Sequence, residues 1–335
     1  MNQPANSSFT GDRLSFVVDR TAAGVRLDAF LASQIAGWSR SRLARLIGDE
    51  DVLVNGRPAK PSYKVREGDE IDVELAELPA TEFVPEHIPL DILYEDNYLA
   101  VINKPAGMVV HPGAGVTSGT LANAIAYHLG FGILDLGSDA DEQSKIENLK
   151  SKVGLVHRLD KDTSGLIVVA KDEQTAEELS RQFHDREVEK SYVALVHGAM
   201  DGNSGTIDTP IAREKYNRTK MTVAKHGRSA LSLWEVKERF EKFTLLDVEI
   251  KTGRTHQIRV HLASINHPVV GDATYNAGRD NTVADPKVKK AIADLGRFFL
   301  HAERLAFTHP KTGDLVDFKQ QIPDELDNFL EILKN

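Results

Sequence analysis

Val153-Gly154-Leu155-Val156-His157-Arg158-Leu159-Asp160-Lys161-Asp162-Thr163-Ser164-Gly165-Leu166-Ile167-Val168-Val169-Ala170 sets two hydrophobic runs on either side of a loop dense in charge. Short apolar runs rich in valine and isoleucine, bounded by turn residues, read as buried strands. Further runs of that kind lie at Leu99–Ile102, Tyr192–Val196, Phe243–Ile250 and Leu315–Phe318. Leu121–Leu129, Thr175–Phe183, Thr255–Ile265 and Asp324–Leu333 carry helical spacing instead. Because strands and helices do not alternate strictly, the pattern predicts an α+β fold with a largely antiparallel sheet, not a doubly wound one. A polar loop between two buried strands is a place where a fold can hold a reactive group rigidly at the surface. Asp160, Asp162, Thr163, Ser164 and Gly165 are equally ordinary turn residues, so composition alone leaves both readings open.

The chain has 335 residues, 41 Lys+Arg against 50 Asp+Glu, no cysteine and a formal charge of −9. That length predicts one large or two moderate domains. The lack of cysteine excludes disulfide scaffolds, thiolate metal sites and cysteine nucleophiles. Residues 1–12 lack the basic and apolar segments of a signal peptide and no long apolar run follows, so a soluble, cytoplasmic protein without membrane contact is expected. Net acidity argues against indiscriminate nucleic-acid binding, but association depends on local potential.

Residues 1–13 read as a disordered tail, 14–76 as a small ααβ-type domain, 77–89 as a linker and 90–335 as the main domain, with a polar surface insertion at 135–152. In the small domain Leu27, Phe30, Leu31 and Ile35 share one helical face. Ser39 reads as the N-cap of a second helix buried through Leu43, Leu46 and Ile47. Arg40, Arg42 and Arg45 give that helix a basic face directed away from the stripe. Val52-Leu53-Val54 with the turn pair Asn55-Gly56, and Ile71, Val73 and Leu75, read as strands. From Glu77 to Asp96 there are six acids, no Lys or Arg, and prolines at 79, 85 and 89, which marks the boundary.

Two more clusters carry charge. Gly253-Arg254-Thr255-His256-Gln257-Ile258-Arg259-Val260-His261 follows a strand. With Thr255 as cap, Ile258, Leu262 and Ile265 face the core. His256 and His261 are five apart, not the helical zinc spacing, so no metal is expected. Arg213, Lys215, Arg218, Lys220, Lys225 and Arg228, opposed only by Glu214, read as a mobile basic hairpin or loop suited either to solvent or to phosphate. Gly113-Ala114-Gly115 lacks the dinucleotide pattern, and neither a nucleophile elbow nor a phosphate-binding loop is present.

The loop His157–Gly165 resembles the catalytic motif of the RluA-type pseudouridine synthases, and Gly253–His261 resembles a further motif of that family. Lys104-Pro105-Ala106-Gly107 with His111-Pro112-Gly113, Lys190-Ser191-Tyr192, and Leu300-His301-Ala302 with His309-Pro310 are similar to the remaining signatures, in the same order. Residues 26–75 resemble an S4 RNA-binding domain of the α-L type. The arrangement, with Val270-Gly271-Asp272, is most similar to the D-type branch that acts on large-subunit (23S) ribosomal RNA. The insertion at 135–152 departs from the usual spacing.

This resemblance implies a catalytic domain with a mixed, largely antiparallel sheet and flanking helices, behind the S4 domain. It implies that Asp160 is the catalytic carboxylate and that Arg259 pairs with it. Arg158 would fill the stack vacated by a flipped-out uridine, Tyr192 would stack on the uracil, and Leu300 would complete a dry floor. Arg40, Arg42, Arg45, Arg213, Lys215, Arg218, Lys220, Arg254 and His256 would contact RNA, and no cofactor is required. Large-subunit ribosomal RNA, in assembling particles or free, is the expected partner of a monomeric chain. The alternatives are an RNA-binding assembly module without catalysis, a family member acting on other RNA such as tRNA, and a hydrolase using Asp160 and Asp162. Hydrolysis usually needs two carboxylates, whereas Asp162 in an extended loop would point away from Asp160.

Overall fold

A computed structural model describes residues 7–10, 13–35, 40–48, 50–74, 84–112, 116–130, 154–214 and 220–334. The expectations on Ser39, Leu75, Lys215, Arg218 and the insertion 135–152 fall outside them, as do the side chains of Arg42 and Arg45. Among the described residues the chain divides into two compact units, one from Met1–Pro89, Val109–Arg158 and Val169–Glu177, the other from Leu90–Met108, Leu159–Val168 and Glu178–Asn335.

The first unit begins with a sheet ordered β1-β2-β5-β3-β4, built from Ser7–Thr10, Arg13–Val17, Glu70–Glu74, Val52–Val54 and Arg57–Pro58 respectively. Part of the expected tail 1–13 is therefore a strand. Ser7-Ser8-Phe9-Thr10 pairs antiparallel with β2, which offers it an open edge. Helices α1 (Leu27–Gln34) and α2 (Arg40–Gly48) bury the apolar stripes read from their spacing, and Phe16 meets Phe30 edge-on at 6.2 Å. Asn55 and Gly56 take positive φ values of 51° and 74°, the conformation a two-residue hairpin turn requires. The half of the linker nearest the main domain is tied down: Glu86 accepts from Gly119 N, and Asn123 of α3 (Leu121–His128) donates to Val84 O.

The second unit is organised on a large sheet whose path is β11-β14-β15-β10-β16-β9-β7-β6. In chain order these are β6 (Asp91–Glu95), β7 (Leu99–Lys104), β9 (Ser164–Ala170), β10 (Glu189–His197), β11 (Ser204–Asp208), β14 (Leu231–Arg239), β15 (Phe243–Ile250) and β16 (Leu300–Thr308). β8 (Gly154–Leu155) pairs with the far end of β9, and β17 (Leu315–Lys319) with β16. The β9–β16 pair is parallel, whereas β10–β15, β10–β16, β14–β15, β11–β14 and β6–β7 are antiparallel, which gives the α+β architecture. Helices α4 (Glu173–His184), α5 (Gln257–Ser264), α6 (Pro286–Leu295) and α7 (Asp324–Lys334) accompany it. The basic stretch, expected as a hairpin or loop, contains the antiparallel pair β12 (Ile211–Arg213) with β13 (Met221–Val223), and Arg228 beside it is buried, bridged to Ile211. None of the described helices is long and apolar enough to cross a membrane.

Candidate active site

Asp160 opens a tight turn that Thr163 N closes on Asp160 O at 3.1 Å. The backbone carbonyls that follow are each held from elsewhere. Lys161 O accepts from Gly107 N (2.9 Å) and Lys104 Nζ (3.1 Å), and Asp162 O accepts from Arg297 Nη1 (3.0 Å). The extended loop assumed for Asp162 is thus a turn. Asp160 bonds to Arg259, and both aspartates act on the buried Lys104.

Lys104 is fully buried, and its ammonium also donates to Pro105 O (2.8 Å) and Met108 O (2.9 Å). Burial pushes its pKa down to about 7, against the pull of Asp160 and Asp162. One side chain therefore ties the end of β7 to the turn that presents Asp160.

Arg259 lies on α5. His256, in the left-handed region at φ 55°, stands at the helix N-cap without a capping bond from its side chain. Gln257 Oε1 accepts from Arg254 N at 3.0 Å and from Thr252 Oγ1 at 2.7 Å, which ties the helix start to the segment before it. Ile258 and Leu262 are buried as the spacing implies, but Ile265 is 36% exposed because the helix ends before it. The guanidinium is shared between two carboxylates. Nη1 donates to Asp160 Oδ2 at 2.9 Å, while Nε and Nη2 form a bidentate pair with Asp272 at 2.7 and 2.9 Å. Asp272 accepts in addition from Thr274 N and Tyr275 N, so its geometry is fixed before Arg259 arrives. Phe298 and Tyr275 present their rings to the guanidinium at 4.2 and 5.1 Å. Burial alone would lower the pKa of Arg259, but the Asp272 hydrogen bond and the Asp160 charge hold it above its ordinary value.

Tyr192 on β10 and Leu300 on β16 are both buried. The register Tyr192↔Ala302, Ala194↔Leu300 puts them on one face of the sheet. Burial, and then the charge of Asp160, drive the Tyr192 pKa upward, so the phenol stays protonated. Arg158 is half-buried and belongs to the first unit.

The expected RNA contacts are more dispersed. Arg40 bonds to the buried Asp28 at 3.2 Å, so this arginine also supports the fold of its own domain. Arg254 Nε reaches Ser229 O at 3.1 Å, His256 Nδ1 lies 2.7 Å from the Tyr275 hydroxyl, and Arg213 and Lys220 stand on the β12–β13 hairpin. Reading site residues from the sequence overlooked Lys104, Asp272, Tyr275, Phe298 and Arg297. Lys104 and Asp272 stood inside motifs that were recognised, without a role.

The family profile described as RNA pseudouridylate synthase matches residues 98–264, and that of the S4 domain matches residues 25–71. A Bacillus subtilis protein named as an uncharacterized RNA pseudouridine synthase, YlyB, is 40% identical over 92% of this chain and 94% of its own length. A Neisseria meningitidis protein named ribosomal large subunit pseudouridine synthase D is 41% identical over 98% of this chain and 84% of its own. The solved human RNA Pseudouridylate Synthase Domain Containing 4 shares the fold with a TM-score of 0.55 and 26% identity, covering 73% of this chain and 93% of that one. An S4 domain joined to an α+β synthase domain defines the class. The chain belongs to the RNA pseudouridylate synthase family, enzymes that isomerise uridine in RNA.

Proposed function

We propose that this enzyme converts particular uridines of large-subunit ribosomal RNA to pseudouridine, with Asp160 as the catalytic carboxylate. The observation that carries the reading is Asp160 held on a fully bonded turn and paired at 2.9 Å with an arginine that a second, buried carboxylate orients. The names of the relatives from Neisseria meningitidis and Nitrosomonas europaea support the ribosomal target.

Isomerisation breaks the N1–C1′ bond, turns the uracil and joins C5 to C1′, with no redox change and no group taken from outside. Attack of a carboxylate on C1′ or on C6, or its removal of a sugar proton, each requires Asp160 to be ionised. The Arg259 guanidinium balances that charge in a site largely closed to water. Tyr192, with its proton retained, offers a flat ring against the uracil, and Leu300 on the same sheet face keeps water from the intermediate. Arg158 fills the stack left by the extruded base, at a flipping cost of roughly a few kcal/mol. Arg40, Arg42, Arg45, Arg213, Lys215, Arg218, Lys220, Arg254 and His256 hold flanking RNA. The chain works as a monomer in the cytoplasm on ribosomal RNA or its assembling particles.

The test is Asp160→Asn and Asp160→Ala, with pseudouridines mapped in large-subunit RNA from cells carrying each variant. Both should abolish the modification while RNA affinity stays within about 3-fold of wild type. Modification that survives either change refutes the assignment, and an intact pattern in cells lacking the protein refutes the target.

A further inference from the structure

Lys190 plays no part in the chemistry above, yet it is only 7% exposed. Among the described residues its ammonium makes no hydrogen bond and no ion pair. The centre of the Phe183 ring of α4 lies 5.1 Å from Nζ. Most of the side chain is out of water while the ammonium keeps a solvent-reaching tip, and holding an ammonium there without an anion is costly. Its surroundings deepen the anomaly. Ser191 pairs with Glu249, so the start of β10 lies beside the end of β15, where Lys251 and Arg254 follow in the chain. Arg186 enters from the turn before β10. All three cations repel Lys190 and, together with its burial, bring its pKa down to about 8. Lys251 has Glu249 as a partner and Arg254 donates to Ser229 O, whereas among the described residues Lys190 meets no anion. Lys190 and Tyr192 are two apart on one strand, so both side chains leave the same face about 7 Å from each other. That is the separation of a uracil from the backbone of its own or the adjoining nucleotide.

We propose that Lys190, with Arg254 and Lys251 beside it, binds a phosphodiester of the RNA next to the uridine that Tyr192 receives. The site supplies the positive charge in advance and the RNA supplies the missing anion. The inference rests on the reading of Tyr192 and Asp160 as the uridine site.

The experiment compares wild type, Lys190→Met and Lys190→Arg on a large-subunit RNA fragment that the wild type modifies. A second set of fragments carries a neutral methylphosphonate on the 5′ or the 3′ side of the target uridine. Lys190→Met should weaken binding about 10-fold, chiefly as a rise in KM, and flatten the slope of log Kd against log salt by about 0.7, the value for one single-strand phosphate contact. Lys190→Arg should recover most of both. One of the two methylphosphonates should cost the wild type a similar factor and cost Lys190→Met nothing more. Because an uncompensated buried charge is removed, the thermal midpoint of Lys190→Met should equal or exceed that of wild type. Unchanged affinity and slope, or losses from variant and methylphosphonate that multiply, would overturn the site. So would a lowered midpoint with equal loss on charged and neutral RNA. If the wild type itself forms no pseudouridine in large-subunit RNA, the functional reading fails; if it does and Lys190→Met binds as wild type, only the phosphate site fails.

Discussion

One guanidinium and two carboxylates form the electrostatic centre of the site, and they are not equivalent. The Asp272 side chain is 1% exposed and meets Arg259 in a fork, whereas Asp160 is 15% exposed and takes a single bond from Nη1. Asp272 therefore orients the arginine, and Asp160 is the more exposed of the two carboxylates. Asp272→Asn keeps the shape but removes the charge and turns one acceptor into a donor facing a donor. We expect a loss of about 2–4 kcal/mol in stability from the poorly compensated buried arginine. The single-turnover rate should fall 10- to 100-fold, with RNA affinity within about 3-fold. Urea unfolding and rapid-quench assays read the two effects, and a rate equal to wild type would show that Asp160 does not depend on this support.

At the scale of elements, the turn bearing Asp160 runs into β9, whose parallel contact with β16 is unusually close. Gly165 has φ +112°, and a Cβ there would lie 2.3 Å from Ala302 O. Gly165→Ala should cost about 3 kcal/mol or more, since neither the backbone of β16 nor the dihedral can yield cheaply. Gly253→Ala, where a Cβ meets nothing within 4 Å, should change the unfolding midpoint little. Equal midpoints for the two variants would contradict the close packing of β9 on β16. Elements that bury a clear stripe were legible: β15 spans Phe243–Ile250 as read, and α1 and α2 bury the residues their spacing marks. β14 was not, because only Ser232 and Trp234 of Leu231–Arg239 are buried and its second half is mostly charged, so the strand is held by pairing with β11 and β15. The N-cap of α5 falls on His256, one residue beyond the expected Thr255, because the left-handed conformation of His256 is not announced by its residue type. The Asp160–Arg259 contact joins residues 99 apart, a distance no local pattern spans, so only the family resemblance brought them together. Asp272 stood in the recognised segment Val270-Gly271-Asp272, but nothing in that pattern says that its carboxylate meets Arg259.

Across the whole molecule, a net charge of −9 and a polyanionic substrate are reconciled by where the charges lie, and the same accounting predicts how the fold responds to acid. Each unit contains a histidine kept neutral. In the first, His111 has no partner for either ring nitrogen among the described residues, and burial lowers its pKa to about 4. In the second, His301 lies between Ser164 Oγ and Gln320 O, and burial again lowers it to about 4. Above the ordinary histidine value of 6.5 both rings are neutral in the folded and unfolded chain, so acidity has no hold on them. As the pH falls below 6.5 the unfolded chain takes up protons that the folded one refuses, and stability drops until the folded pKa near 4 is reached. The limit is about 3 kcal/mol for each histidine. Asp28 responds in a separate window. Arg26, more than offsetting burial, helps lower its carboxyl from 3.8 to about 2, so its contribution is present above 3.8 and disappears as the pH falls through 2. Urea midpoints measured from pH 7.5 to 4 should therefore fall steeply across the histidine window. His301→Gln, which keeps a donor and an acceptor but cannot titrate, should remove close to half of that fall. A variant whose midpoint falls as steeply as that of wild type would show that His301 takes up its proton without leaving the folded state.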